Sequence, residues 1–298
     1  MSEPRRILIL GAAGQVGREL QRSFAGAGEL ICAGRARANL AQPDQLRELI
    51  RSVRPHVLLN AAAYTAVDRA EAEPELAFAV NGEAPRVLAE EALSAGILLV
   101  HYSTDYVFDG SKQGAWEESD APHPLNVYGA SKLVGEDAIR AVGGKYLIFR
   151  TSWVYGPHGN NFLGTMLRLG RERDRLTVVD DQVGAPTTSI ELADATRLAV
   201  DGALAGRYGV AENWAGLYHM TCGGSTSWYG FAQEIFARAK GLPGALQPIV
   251  EPILSSQYKT AATRPKNSVL SNQKLQSQLG IRLKPWQEAL DAVFAQFE

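Results

Sequence analysis

Arg5-Arg6-Ile7-Leu8-Ile9-Leu10 runs straight into Gly11-Ala12-Ala13-Gly14-Gln15-Val16-Gly17, and that junction is the most informative point in the chain. The apolar run has the continuity of a strand buried on both faces. Arg18-Glu19-Leu20-Gln21-Arg22-Ser23-Phe24 then has helical spacing. Strand, glycine turn and helix in that order is the context in which a glycine motif gains meaning. The spacing is G-x-x-G-x-x-G, not the G-x-G-x-x-G of the commonest dehydrogenases, but the physical role is similar. Small residues permit a tight turn and let a pyrophosphate approach the helix N-terminus, whose free N–H groups attract anions. A plain strand-to-helix turn is the competing reading, and the context puts dinucleotide binding ahead of it.

Working outward, the later apolar runs repeat the alternation. Leu30 to Gly34 reads as a second strand, followed by Arg35-Ala36-Arg37 where a NAD-preferring protein would often carry an acid. Arginine suits a 2′-phosphate, which favours NADPH over NADH; solvated loop arginines are the alternative. Asp44 to Val53 reads as a helix, and Val57 to Asn60 as a third strand. That strand ends in Asn60-Ala61-Ala62-Ala63-Tyr64-Thr65, small residues against which a flat cofactor can lie. Leu76 to Ala95 is a long helical pattern that Pro85 kinks or breaks. Ile97 to Ser103, a fourth strand, delivers Ser103-Thr104-Asp105-Tyr106 to its C-terminal end, the edge at which open α/β sheets bind ligands. Glu117, Glu118 and Asp120 read as a solvated loop face, not as paired catalytic carboxylates.

Asn126-Val127-Tyr128-Gly129-Ala130-Ser131-Lys132 opens the next helix, with Asn126 as its N-cap. Tyr128 and Lys132 share a face. An ammonium beside a phenol lowers the phenol's pKa from about 10 and fits it to exchange a proton with a carbonyl oxygen. Taken alone, the pair fits an ordinary amphipathic helix with a surface lysine better; its neighbours reverse that. Lys145 to Thr151 is a fifth strand leading into Ser152-Trp153. Helices over 162–172, 190–204, 228–240, 272–279 and 286–297, strands over 176–179 and 217–221, and proline-marked stretches around 243–265 follow. The expected fold is α/β, a doubly wound parallel sheet of Rossmann type with a smaller C-terminal substrate-binding region. Residues 1–155 form the dinucleotide-binding part and 156–298 mainly the substrate part, with interleaved segments.

The bulk numbers set outer bounds. The 298 residues allow one large domain or two modest ones. A hydrophobic share of 46% and a formal net charge of −2 argue against a nucleic-acid or membrane surface. Cys32 and Cys222 make no disulfide framework and have no metal-ligand spacing. The five histidines, His56, His101, His123, His158 and His219, show no metal spacing and read as structural or surface residues. With no signal-like or membrane-length apolar run, a cytoplasmic enzyme or binding protein is the default.

The glycine turn, Asn60-Ala61-Ala62, Ser103-Thr104-Asp105 and Tyr128-x-x-x-Lys132, in this order, resemble the extended short-chain dehydrogenase/reductase superfamily. Further segments are similar to the dTDP-4-dehydrorhamnose reductase family within it. They include Asn60-Ala-Ala-Ala-Tyr-Thr-Ala-Val-Asp68, Ser103-Thr-Asp-Tyr-Val-Phe-Asp-Gly110, Phe149-Arg-Thr-Ser-Trp-Val-Tyr155, Asp181-Gln-Val-Gly-Ala-Pro-Thr187 and Thr263-Arg-Pro-Lys-Asn-Ser268. The resemblance implies reduction of a nucleotide-sugar C4 ketone, dTDP-4-dehydrorhamnose, by NADPH or NADH. It implies Thr104, Tyr128 and Lys132 as catalytic residues. It implies a cofactor site of Gly11, Ala13, Gly14, Gln15, Val16, Gly17, Arg35, Asn39, Leu40, Ala61, Ala62, Ala63, Tyr64, Tyr128 and Lys132. Thr104, Asp105, Tyr106, Trp153, Asn161 and Arg264 are the implied substrate contacts, Arg264 for the diphosphate. Trp153 as a core tryptophan and Arg264 as a surface arginine are the competing readings. Some members associate with Mg²⁺ through glutamates at a homodimer contact. Glu19 has a compatible position, but no further ligands assemble, so no metal site is assigned. Two other readings stay open: a nucleotide-sugar dehydratase or epimerase, against which Tyr106 stands where a dehydratase carries an acid, and a non-catalytic regulatory subunit of the methionine adenosyltransferase type.

Overall fold

Each apolar run of the N-terminal half forms a strand of one parallel sheet. The structure, a computed structural model, describes residues 4–240 and 247–297. The first half runs β1 (Arg6–Leu10), α1 (Gln15–Ser23), β2 (Glu29–Ala33), α2 (Pro43–Val53) and β3 (Val57–Asn60). Short α3 (Val67–Ala70) and α4 (Pro74–Phe78) lead to α5 (Ala84–Ala95), β4 (Leu98–Thr104), α6 (Val127–Val142) and β5 (Tyr146–Thr151). The second half gives β6 (Val154–Tyr155), α7 (Phe162–Glu172), β7 (Arg175–Val179), β8 (Val183–Gly184), β9 (Thr187–Thr188) and α8 (Ser189–Leu204). It ends with α9 (Ala211–Trp214), β10 (Gly216–His219), β11 (Thr226–Ser227), α10 (Trp228–Ala239), β12 (Ile249–Ile253), α11 (Gln273–Leu279) and α12 (Trp286–Phe294). Pro243, the first of the proline-marked positions, lies outside the described residues.

The main sheet has the order β10-β5-β4-β3-β1-β2, with every pairing parallel. Successive side chains of β1 point to opposite faces. Ile7 and Ile9 join a core with Leu20 of α1, Phe24 at its C-terminal end and Leu192 of α8. Leu8 and Leu10 join Leu49, Leu88 and Ile139 of α2, α5 and α6 on the other face. Helices therefore cover both faces, as a parallel sheet requires. Two features differ from the sequence expectation. β2 is an edge strand with Glu29 and Cys32 exposed, because among the described residues nothing pairs beyond it. A sixth strand, β10, comes from the second half and pairs with β5. β6, β7 and β12 share a third core with α7, α10 and α12 around Tyr155, Phe231 and Trp286.

The expected break at Pro85 takes a specific form. A single π-helical turn, Ala79–Glu83, separates α4 from α5. Pro85 has no N–H to offer the Asn81 carbonyl four residues earlier. Gly135 of α6 comes against that carbonyl so closely that a Cβ there would stand 2.1 Å from it. Among the described residues, no helix is long and apolar enough to cross a membrane.

Candidate active site

The strand order reverses between β1 and β3, and a crevice at such a point is where doubly wound sheets bind ligands. A cavity of about 870 Å³ opens there. Gly11, Ala13, Gly14, Gln15 and Val16 line it from the β1–α1 turn. Arg35, Asn39 and Leu40 line it from beyond β2, and Ala61, Ala62, Ala63 and Tyr64 from beyond β3. The turn fits a dinucleotide on its own geometry. Gly11 has φ +72°, and a Cβ on it would stand 2.7 Å from the Ala62 nitrogen. Gly17 does not line the cavity; it packs under the turn, where a Cβ would meet the Gly11 carbonyl at 2.1 Å. α1 begins with no side-chain cap and no acid in its first turn, leaving its N–H groups and dipole for an anion.

β4 and α6 bring the reactive side chains to the same cavity. Asn126 caps α6, its Oδ1 accepting from Gly129 N at 2.8 Å. The helix then presents Tyr128, Lys132 and Glu136 along one stripe. Thr104 ends β4; its hydroxyl donates to Asp105 Oδ1 at 2.9 Å and accepts from Tyr106 N at 3.1 Å. Burial pushes the Tyr128 phenol up to about 12, and the hydrogen bond with Thr104 only partly offsets this. This reverses the expectation that Lys132 lowers it. Lys132 Nζ instead donates to the Tyr102 carbonyl at 2.6 Å and meets His101 Nε2 at 3.2 Å. Burial lowers Lys132 itself to about 8. Burial also raises the Asp105 carboxyl to about 6, and its Oδ2 is buried without a hydrogen-bond partner. Tyr106 stands edge-on to Tyr128, ring centroids 5.6 Å apart.

Trp153 lines the cavity in a left-handed conformation, φ +46°, uncommon for a bulky residue. Its indole stacks on Trp228 at 3.5 Å between centroids. Gly184 permits this, since a Cβ there would stand 2.6 Å from Trp153 Cε2. Trp228 also lines a second cavity of about 1040 Å³ between α7, β7 and the segment 254–266. Arg264 lines that second cavity, held by Asp68 through Nη2–Oδ2 at 2.6 Å and Nη1–Oδ1 at 3.2 Å. Asn161 lines neither. Its Oδ1 caps α7 at Gly164 N, and its Nδ2 donates to Gln15 Oε1 at 2.8 Å and to the Gly156 carbonyl at 3.0 Å.

Comparison with known proteins agrees over the whole length. The family model described as "RmlD substrate binding domain" matches residues 5–298. A dTDP-4-dehydrorhamnose reductase of Burkholderia thailandensis is 48% identical, with 96% of each chain covered. The chain belongs to the dTDP-4-dehydrorhamnose reductase family. A crystal structure of such a reductase from Clostridium acetobutylicum superposes with a TM-score of 0.90 at 38% identity, covering 98% of this chain and 99% of that one. One from Bacillus anthracis, in complex with NADP, gives 0.89 at 35% identity, covering 99% and 100%.

Several supports of this reductase-family site had no clear signal in the sequence. Asn81, in the π-turn, accepts from Tyr64 N at 2.9 Å and donates to the Tyr64 carbonyl and to Ser131 Oγ. It ties the loop beyond β3 to α6; Pro85 marked the place but not the purpose. Glu136, 0% exposed, takes two hydrogen bonds from buried Arg150, at 2.9 and 2.6 Å, and one from Ser103. Its i+4 spacing from Lys132 was the available clue. His101 is buried against Lys132. Glu118 is not part of a solvated face: it accepts from His219 N at 2.7 Å, and burial raises its carboxyl. Glu19 is buried, and its carboxylate accepts from Arg22 Nε at 2.7 Å.

Proposed function

We propose that this chain reduces the C4 ketone of dTDP-4-dehydro-β-L-rhamnose to dTDP-β-L-rhamnose, the last step of dTDP-L-rhamnose synthesis. NADPH is the donor, with NADH as the second choice. The observation that carries the reading is that Thr104 and Tyr128 line the same cavity as the glycine turn.

The glycine turn, Arg35 and the Ala61–Tyr64 loop would hold the cofactor, which would supply the hydride when bound. Thr104 and Tyr128 offer two hydroxyls to one ketone oxygen and stabilise the charge that develops there. The Tyr106 N–H holds the Thr104 oxygen, whose proton turns from Asp105 Oδ1 to the ketone oxygen when substrate enters. Tyr128, raised to about 12, carries its proton at neutral pH and gives it to the alkoxide oxygen. Lys132 holds the nicotinamide ribose. Trp153, stacked on Trp228, forms an apolar wall for the sugar, and Arg264 faces the diphosphate. Tyr106 in place of an acid removes the carboxylate a dehydratase needs at that position. The reductase names of the relatives favour catalysis over the regulatory-subunit reading.

A cytoplasmic location and a homodimer belong to the same proposal, checked by fractionation and by light scattering. The chemical test is NADPH oxidation with dTDP-4-dehydrorhamnose, repeated with NADH and with other nucleotide 4-ketosugars. Net oxidation with the first substrate supports the reading; none with any substrate defeats it. Turnover without net oxidation would indicate an epimerase.

A further inference from the structure

Lys132 has an unusual neighbour. Its Nζ meets two partners, the Tyr102 carbonyl at 2.6 Å and His101 Nε2 at 3.2 Å. The far side of the same ring, Nδ1, lies 3.0 Å from Asn60 Nδ2. Asn60, His101 and Lys132 are all at most 2% exposed.

Donor and acceptor accounting fixes the ring. Asn60 Oδ1 accepts from Ala62 N at 3.3 Å, which turns the Asn60 amide nitrogen toward His101 Nδ1. An amide nitrogen only donates, so Nδ1 is the acceptor. A neutral imidazole then carries its single proton on Nε2, facing Lys132. Burial and the lysine's own charge keep the ring neutral. An Nε2–H is a good partner for an amine and a poor one for an ammonium. To serve an ammonium, the ring must move its proton to Nδ1 and the Asn60 amide must turn, giving up Ala62 N.

We infer that His101, clamped by Asn60, is a positioning residue that fixes the Lys132 amine beneath the cavity and couples its protonation to one ring tautomer. The inference rests on the role given to Lys132 above. The other titratable groups around the amine are Tyr128 and Glu136 on its own helix, Tyr102 and Asp105 at the end of β4, and Arg150 on β5. Glu136 favours the ammonium but is itself taken up by Arg150 and Ser103, and Tyr102 OH is bonded to Thr196. Among the described residues, only His101 places a side-chain hydrogen-bonding atom at Nζ.

Two measurements test this. In wild-type protein with 15N-labelled histidines, ring nitrogen shifts report the tautomer, with His101 assigned by eliminating the other four. The expected result is a neutral ring protonated on Nε2 at about pH 10, where Lys132 is an amine, and on Nδ1 at about pH 6, where it is an ammonium; the same tautomer at both pH values, or an imidazolium, would overturn the inference. The second is the alkaline limb of kcat against pH in wild type and His101→Gln. The glutamine amide reaches the place of Nε2 and can turn its oxygen toward an ammonium. The limb then moves up by about one pH unit or more. A lower kcat with the limb unmoved is what a merely structural histidine gives, and it would overturn the inference. The tautomer is read without substrate, so a wild type lacking turnover defeats the functional reading alone.

Discussion

Replacing Lys132 by methionine removes a buried ammonium, and the consequence depends on pH in a calculable way. Burial lowers Lys132 to about 8 from the ordinary 10.5. Between those values the unfolded chain binds the proton and the folded chain has released it. Stability from this group therefore rises as pH rises through that window. The ammonium costs the folded state roughly 3 kcal/mol at pH 7 and less than about 1 kcal/mol at pH 10. Wild type should thus gain about 2–3 kcal/mol relative to Lys132→Met across that interval. The variant also leaves the Tyr102 carbonyl unpaired, a cost of about 1–3 kcal/mol that does not vary with pH. The slope, not the offset, carries the information. Urea unfolding followed by tryptophan fluorescence at steps from pH 7 to pH 10 measures it, and other titrating groups cancel between the two proteins. A difference that stays flat, or falls with pH, would refute the claim that Lys132 is held below its usual pKa.

Three further outcomes follow from the same geometry. Arg35→Ala should raise the KM for NADPH by about tenfold, the scale of one charge-assisted hydrogen bond, and leave NADH unaffected; equal losses for both donors would remove the 2′-phosphate role. Asp105 is raised to about 6 from 3.8, so its favourable contribution is present below about pH 4 and lost as pH rises through 6. Asp105→Asn should therefore remove a stability drop of about 2 kcal/mol between those pH values, read by thermal melting; parallel wild-type and variant curves would contradict this. Gly129→Ala places a Cβ 2.1 Å from the Tyr106 carbonyl. It should displace the Tyr128 turn and cut turnover about tenfold or more while NADPH affinity, measured by fluorescence, is kept; unchanged turnover would show that the turn tolerates the shift.

Local pattern made the sheet legible and long-range pairing hid the rest. Largely apolar runs of four to seven residues placed β1, β3, β4 and β5 to within a residue, because strands buried on both faces leave continuous runs. β10 was visible as a strand, but its short sequence says nothing of pairing with β5, some seventy positions earlier. The cavity-lining residues at the glycine turn and at the ends of β3 and β4 were readable because topology sends each strand's C-terminal end to one edge. What spacing could not supply was direction. Tyr128 and Lys132 share a helix face, yet Lys132 reaches back to β4, and burial, not its charge, governs the phenol. Asp68 and Arg264 lie far apart in sequence, so their ion pair had no local signal. Neither did the work of Asn161, whose amide spans α1 and α7.

The central claim is that Tyr128, beside Thr104, gives the proton that completes ketone reduction. Single-turnover NADPH oxidation with dTDP-4-dehydrorhamnose in wild type and Tyr128→Phe tests it most directly. A fall on the order of 10²-fold or more is expected in the variant, with cofactor affinity retained. A Tyr128→Phe enzyme that reduces the ketone at nearly the wild-type rate would contradict it.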